Sequence, residues 1–165
     1  QAVGLLKNTP YEIRNTKYEA LIAGTGELKD DVERQARDLG VEGKIIFLGF
    51  IPDEEKFAYL SALDIFVFPS LAEGFGISLI KAMACGCACL VSDLPVLSEV
   101  GGEAVETFKT GNAEELAKKL AELIKLPARC EALSGVARER VSKEFTLEKF
   151  WDRYERLYQN LIRSI

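Results

Sequence analysis

Between Glu73 and Gly86 the sequence reads EGFGISLIKAMACG: a carboxylate, two glycines around an aromatic, then an apolar-periodic segment with Lys81 on its second turn. Glycines ahead of a helix let the backbone approach a ligand closely, and a helix start offers unpaired amides and the positive end of the helix dipole. That arrangement suits a phosphate. Glu73 cannot hold a phosphate for reasons of charge, so it is expected to accept bonds from neutral hydroxyls, as in sugar recognition. The chain contains no histidine, which removes the commonest general base, the Ser-His and Cys-His pairs and most zinc sites. Acid–base work falls to carboxylates or lysines. Cys85, Cys87 and Cys89 form CGCAC, with Cys130 apart. The run invites a metal reading, yet no fourth nearby thiolate or histidine completes a set, and CACLVS reads as a buried strand of small hydrophobes. No carboxylate pair has ligand spacing either, so no metal is expected.

The elements that must position these residues alternate between apolar runs of strand length and amphipathic segments of helix length, the signature of a parallel sheet covered by helices. Strands are predicted at Tyr18 to Gly24, Lys44 to Gly49, Asp64 to Ser70, Cys87 to Ser92 and Ala104 to Phe108. Most are nearly continuous in apolar residues, as expected when both faces are buried. Helices are predicted near Glu27 to Leu39, Asp53 to Ala62 and Gly76 to Cys85. Later, NAEELAKKLAELIKL carries Leu116, Leu120, Leu123 and Ile124 on one stripe, with Glu114–Lys118 and Glu115–Lys119 as i,i+4 pairs on the other. A helix follows Pro127 to about Glu144, and a last one starts behind Thr146 as N-cap, with Lys149 where a capping box would have glutamate. Its stripe is aromatic: Phe150, Trp151, Tyr154, Leu157, Tyr158 and Leu161. This face is expected to pack on its own domain; the alternative is a docking face for another domain.

The 165 residues form a single domain on the usual length prior, and 48% hydrophobic with 28% charged residues is a globular balance. A net charge of −5 argues against general affinity for nucleic acid or an anionic membrane surface. No apolar run approaches the roughly 18 residues needed to cross a bilayer. QAVGLLKNTPYEIRN lacks the charged start and long apolar centre of a signal peptide, and free thiols fit a reducing compartment, so a cytoplasmic location is expected. QAVGLLKN resembles the tail of an amphipathic helix, as in an excised domain or a shortened relative of something larger.

Several predicted strands run into glycine or proline and then a helix: AGTGEL, LGFIPDEE and FPSLAEGFG. In an open parallel sheet such turns share the carboxyl edge, where ligands bind. FPSLAEGFGISLIKAMACGCACLVSD resembles the motif of retaining glycosyltransferases of the two-domain GT-B type, particularly family 4, also called group 1. The likeness runs from about Tyr18 onward and includes LIAGTGEL, IIFLGFIPDEE, ALDIFVFPS and the terminal FTLEKFWDRYERLY. It implies an α/β, Rossmann-like open parallel sheet with helices on both faces, the C-terminal half of a GT-B fold, binding a nucleotide-sugar donor and needing no cofactor. By that resemblance Glu73, the catalytic candidate, contacts donor-sugar hydroxyls, while Gly74, Phe75, Gly76, Ile77 and Ser78 hold the donor diphosphate. Gly24 and Gly26 line the nucleotide side, and Leu48, Gly49, Phe50 and Ile51 form the loop whose backbone reads the base. Plainer alternatives are that Phe75 is core and that Gly24 and Gly26 make a simple turn.

Two departures from the family pattern stand out. Lys81 occupies the place of a second glutamate, which resembles a ribose anchor accepting bonds from two hydroxyls; lysine offers only donors. It could pair with Glu73, reach the diphosphate, or mark a site that no longer binds donor. The second is an expected absence: by the resemblance, the family's first strand, with an Arg and a Lys that neutralise phosphate, and its N-terminal acceptor domain would lie ahead of these residues. The resemblance therefore implies a donor-binding domain of a retaining glycosyltransferase, inactive alone because half a cleft does not exclude water. The alternative is a non-catalytic or partner-dependent nucleotide-sugar-binding subunit. The expected partners are a UDP- or GDP-sugar and an N-terminal acceptor domain or separate acceptor-binding chain, with no nucleic acid and any membrane association indirect, through the missing half.

Overall fold

The computed structural model describes residues 2–8 and 17–163; Gln1 and residues 9–16 of the N-terminal stretch lie outside it. The elements run α1 (Ala2–Asn8), β1 (Ala20–Ala23), α2 (Lys29–Asp38), a short 3-10 turn, β2 (Ile45–Gly49), α3 (Asp53–Ser61), β3 (Ile65–Phe68) and α4 (Ile77–Cys85). Then follow β4 (Ala88–Ser92), α5 (Pro95–Gly101), a second 3-10 turn, β5 (Val105–Phe108), α6 (Ala113–Lys125), α7 (Pro127–Glu144) and α8 (Leu147–Arg163). All five predicted strands are present and pair in parallel. They form two sheets, β1-β2 and β3-β4-β5, with no ladder joining the two among the described residues.

The strand β4 shows why its sequence has almost no polar position. It is buried at every residue, between β3 and β5. Cys89 and Val91 point into a cluster with Leu79, Met83, Leu97 and Ala137, beneath α4, α5 and α7. Leu90 points the other way, toward Leu6, Phe108, Leu116 and Ala117 beneath α1 and α6. Helices therefore cover both faces of this sheet. Each fully buried side chain of the size of Leu90 contributes about 1.5–3 kcal/mol. The cysteines belong to this packing: the Cys87 thiol donates to the Leu60 carbonyl at 3.1 Å and the Cys89 thiol to the Cys87 carbonyl at 3.5 Å. Burial pushes Cys87 up to about 11 and Cys89 higher still, so both stay protonated and inert at neutral pH.

The helix ends follow the sequence. Asn112 caps α6, its side-chain oxygen accepting from the Glu114 and Glu115 amides at 3.1 and 3.0 Å. Thr146 caps α8 by accepting from the Lys149 amide at 3.3 Å. Lys119, however, pairs with Glu106 of β5 at 3.2 Å and not with Glu115, whose carboxylate accepts from the Lys109 amide. The seven-residue α5 is not foreseen by the sequence pattern; Arg140 from α7 closes its end by donating to the Val100 and Glu99 carbonyls, both at 2.7 Å.

The expectation that the aromatic face of α8 packs on its own domain is overturned. Phe150, Trp151, Tyr154, Leu157 and Tyr158 are between 45% and 65% exposed. The rings contact one another instead, Phe150 lying 4.5 Å from Tyr154 and 5.4 Å from Trp151. Glu144, at the end of α7, ties down the first turns of α8 by pairing with Lys149 and Arg153. No helix among the described residues is long and apolar enough to cross a membrane.

Candidate functional site

Every loop of the predicted site leaves the carboxyl end of a strand. After β1, Gly24 turns with φ +132° and donates its amide to the Gly49 carbonyl at 2.7 Å, which locks the first glycine turn to the end of β2. Gly24, Gly26, Leu28 and Phe47 line an open cleft of about 250 Å³ there. Gly49 itself has φ +67°, and the loop it begins leaves Phe50 71% exposed and Ile51 half-buried, while Leu48 stays in β2. This loop runs through Pro52 into α3.

The elbow after β3 is the most organised part. Glu73 folds its carboxylate back over the following backbone, and one oxygen accepts from the amides of Gly74, Gly76 and Phe75 at 3.1, 3.3 and 3.5 Å. Three donors thus converge on a single anionic oxygen, a concavity of the type that binds anions. Gly76 closes it with φ +90°, and a Cβ at that position would lie 3.0 Å from the Leu97 side chain, so both conformation and space favour glycine. Helix α4 then starts at Ile77 with no side-chain cap and no acidic residue in its first turn, leaving its dipole end open. Phe75 is 51% exposed and meets Phe145 edge-on at 6.4 Å, so it is not a core residue.

Along α4, Leu79, Ala82 and Met83 are buried, while Ile77 and Ser78 are exposed and Lys81 is half-buried. Lys81 does not pair with Glu73. Its ammonium lies 4.0 Å from Asp53 Oδ1, at the start of α3, and the same oxygen accepts from Lys56 at 2.6 Å. The Lys56 hydrogen bond, then the charges of Lys56 and Lys81, hold the Asp53 carboxyl below the ordinary carboxylate range. Sequence reasoning did not connect Asp53 with Lys81; Asp53 stands immediately after the loop from β2, at the first position of α3.

The structure therefore brings together Gly24 with Gly49, Glu73 with Gly74, Phe75 and Gly76, and Lys81 with the end of the Leu48–Ile51 loop through Asp53. The first group stands on the β1-β2 sheet and the elbow on the other, and α3, which follows β2, packs on α4, which follows the elbow. Among the described residues no group of three His, Cys, Asp or Glu side chains is placed to hold a metal ion.

Comparison with known proteins adds a family. Residues 1–140 match the model of the glycosyl transferases group 1. The O-antigen chain mannosyltransferase B of Escherichia coli is 38% identical over 96 residues, covering 58% of this chain and 25% of that protein. Among solved structures, the sucrose-phosphate synthase of Thermosynechococcus elongatus superposes with a TM-score of 0.81 at 24% identity, covering 99% of this chain and 43% of that one. Alr3699/HepE of Anabaena, solved in complex with UDP, gives 0.81 at 20% identity over 96% of this chain and 44% of that one. The fold is that of one half of a GT-B glycosyltransferase, and the chain spans a quarter to less than half of the length of these proteins.

Proposed function

We propose that this chain, which belongs to the group 1 glycosyl transferases, is the donor-binding domain of a retaining, family 4 type enzyme that moves a sugar from a nucleotide sugar to an acceptor. The observation that carries this is the elbow, where the Gly74, Phe75 and Gly76 amides already hold an anionic oxygen, that of Glu73. A donor diphosphate supplies such oxygens, and its position over the start of α4 is favoured by the helix dipole. HepE, of the same fold, was solved with UDP. Here UDP- or GDP-sugars are the donors, the Leu48–Ile51 loop takes the base, Gly24 and Gly26 flank the nucleotide, and Ile77, Ser78 and Lys81 line its path. Glu73, released from the amides, accepts bonds from the donor sugar.

The chemistry follows from where charge develops. As the bond from sugar to diphosphate breaks, negative charge grows on the leaving phosphate and positive charge on the sugar ring. The amides and helix dipole stabilise the first without reorganising, and a carboxylate beside the sugar stabilises the second. Both effects depend on excluding water, which needs a second wall. We assign that wall to an N-terminal acceptor domain or a separate acceptor-binding chain in the cytoplasm, contacted by Trp151, Tyr154 and Tyr158 of α8, and these 165 residues do not turn over alone. A non-catalytic nucleotide-sugar-binding subunit is the second reading, favoured by Lys81 pointing to Asp53 in place of a second carboxylate.

The test is amide NMR of this chain titrated with UDP, GDP and inorganic diphosphate. The expected result is that the Gly74, Phe75, Gly76 and Ile77 amides shift first and saturably. No shift at millimolar ligand, or shifts confined to other loops, overturns the donor-site assignment. Slow hydrolysis of a UDP-sugar by this chain alone overturns the requirement for a second wall.

A further inference from the structure

If the elbow takes the diphosphate and the Leu48–Ile51 loop takes the base, as proposed above, the covalent order of a nucleotide puts its ribose between them. A ribose presents two adjacent hydroxyls, and an ionised carboxylate is the group that accepts from both. Lys81 lies on that path and can only donate. The carboxylate in reach of it is Asp53. It opens α3 directly after the base loop and Pro52, its Oδ1 is 4.0 Å from the Lys81 ammonium, and its side chain is 77% exposed. Lys56 holds the same oxygen at 2.6 Å. Both lysines thus approach the carboxylate through Oδ1.

We propose that Asp53 accepts hydrogen bonds from the ribose hydroxyls of the bound nucleotide, with Lys56 and Lys81 as the positioning residues that fix its carboxylate. The division of labour is stereochemical. A lone exposed aspartate samples several rotamers, whereas one pinned through Oδ1 from two helices presents Oδ2 in one direction. The pair of lysines also keeps the carboxyl ionised, consistent with its lowered pKa. The acceptor that the second turn of α4 lacks is in this way supplied by the first turn of α3, and Lys81 becomes compatible with a working nucleotide site.

The experiment compares UDP and GDP with their 2′-deoxy counterparts, and with inorganic diphosphate, by calorimetry on this chain and on Asp53→Ala. The native chain is expected to prefer the ribonucleotide by about fivefold or more, the equivalent of one charge-assisted hydrogen bond at an exposed site. Asp53→Ala is expected to bind both sugars within twofold of one another while inorganic diphosphate binds as before. Asp53→Ala combined with Lys81→Glu is expected to recover the preference, since the carboxylate returns from the other helix. A ribose preference that survives Asp53→Ala overturns the assignment, as does its absence in a native chain that binds diphosphate. Failure to bind diphosphate or any nucleotide instead overturns the donor-site reading on which this assignment rests. Unchanged melting of the variants, expected for a residue this exposed, separates these outcomes from misfolding.

Discussion

Replacing Glu73 by alanine should tighten binding of UDP and loosen binding of a UDP-sugar relative to it. In the free chain one Glu73 oxygen occupies the three elbow amides at 3.1, 3.3 and 3.5 Å. These are longer than the 2.7–2.9 Å typical of good charge-assisted bonds, and one oxygen is shared among three donors. Their joint worth is therefore about that of a single hydrogen bond to a charged group with partial solvent screening, about 1 kcal/mol. A diphosphate must displace this carboxylate, so removing it should strengthen UDP or inorganic diphosphate binding by about fivefold, 1.4 kcal/mol being about tenfold. On the proposed reading the sugar of UDP-glucose loses its acceptor in the same variant, so the affinity ratio of UDP-glucose to UDP should fall. Glu73→Gln keeps a weaker, neutral acceptor and should lie between. Calorimetry with the three ligands on the three proteins reads both effects. Equal weakening of UDP and UDP-glucose in Glu73→Ala would refute the reasoning, because the carboxylate would then be organising the elbow and not competing for it.

Glu106 has a side chain only 12% exposed, paired with Lys119 and Arg129. Burial alone would raise its pKa, but the Arg129 and Lys119 hydrogen bonds outweigh it and hold the carboxyl below its ordinary value. A depressed folded-state pKa contributes stability above the unfolded value, about 4.3, that disappears as pH falls through the folded value. Thermal melting of Glu106→Gln should therefore trail the native protein by about 1 kcal/mol at pH 7, after allowance for screening, and converge with it in strong acid; a gap unchanged from pH 7 to acid counts against the pairing. Gly101→Ala would set a Cβ 2.4 Å from Val105 Cγ2 and should cost about 1–3 kcal/mol by overpacking, recovered in part by adding Val105→Ala. Melting equal to native for the single variant removes that explanation. Amide exchange should be far faster at Leu21 and Ile22 of β1, both over a third exposed, than at the fully buried Leu90 and Val91 of β4; equal protection would show the two sheets to unfold as one unit.

How far the fold could be read from the sequence depended on whether a residue's partner lay within reach of local pattern. The strands were legible because residues such as Cys89 and Leu90 serve different clusters on opposite faces, which leaves a run with no polar slot. The elbow was legible because Gly76 answers a local demand, a positive φ close under Leu97. The division into two sheets was not, since the apolar runs of β1 and β3 look alike and pairing is set by the neighbour. Helix α5 was overlooked although Pro95 at its first turn and glycines at its end mark a short helix as well as a loop. Charge partners failed in one direction. A helical-spacing rule knows only its own surface and paired Lys119 with Glu115, but Glu106 on the neighbouring strand, nearly buried, has more to gain from a cation than an exposed glutamate does. Lys81 is the same case at the site: its partner lies 28 residues earlier, at the start of another helix. The α8 stripe is the opposite case, since an apolar periodicity says that a face repels water and says nothing about what covers it. Its ring-on-ring contacts leave Trp151 at 65% exposure, so self-association of the rings along one helix does not satisfy the face. Periodicity is sufficient evidence for the helix and insufficient for its packing.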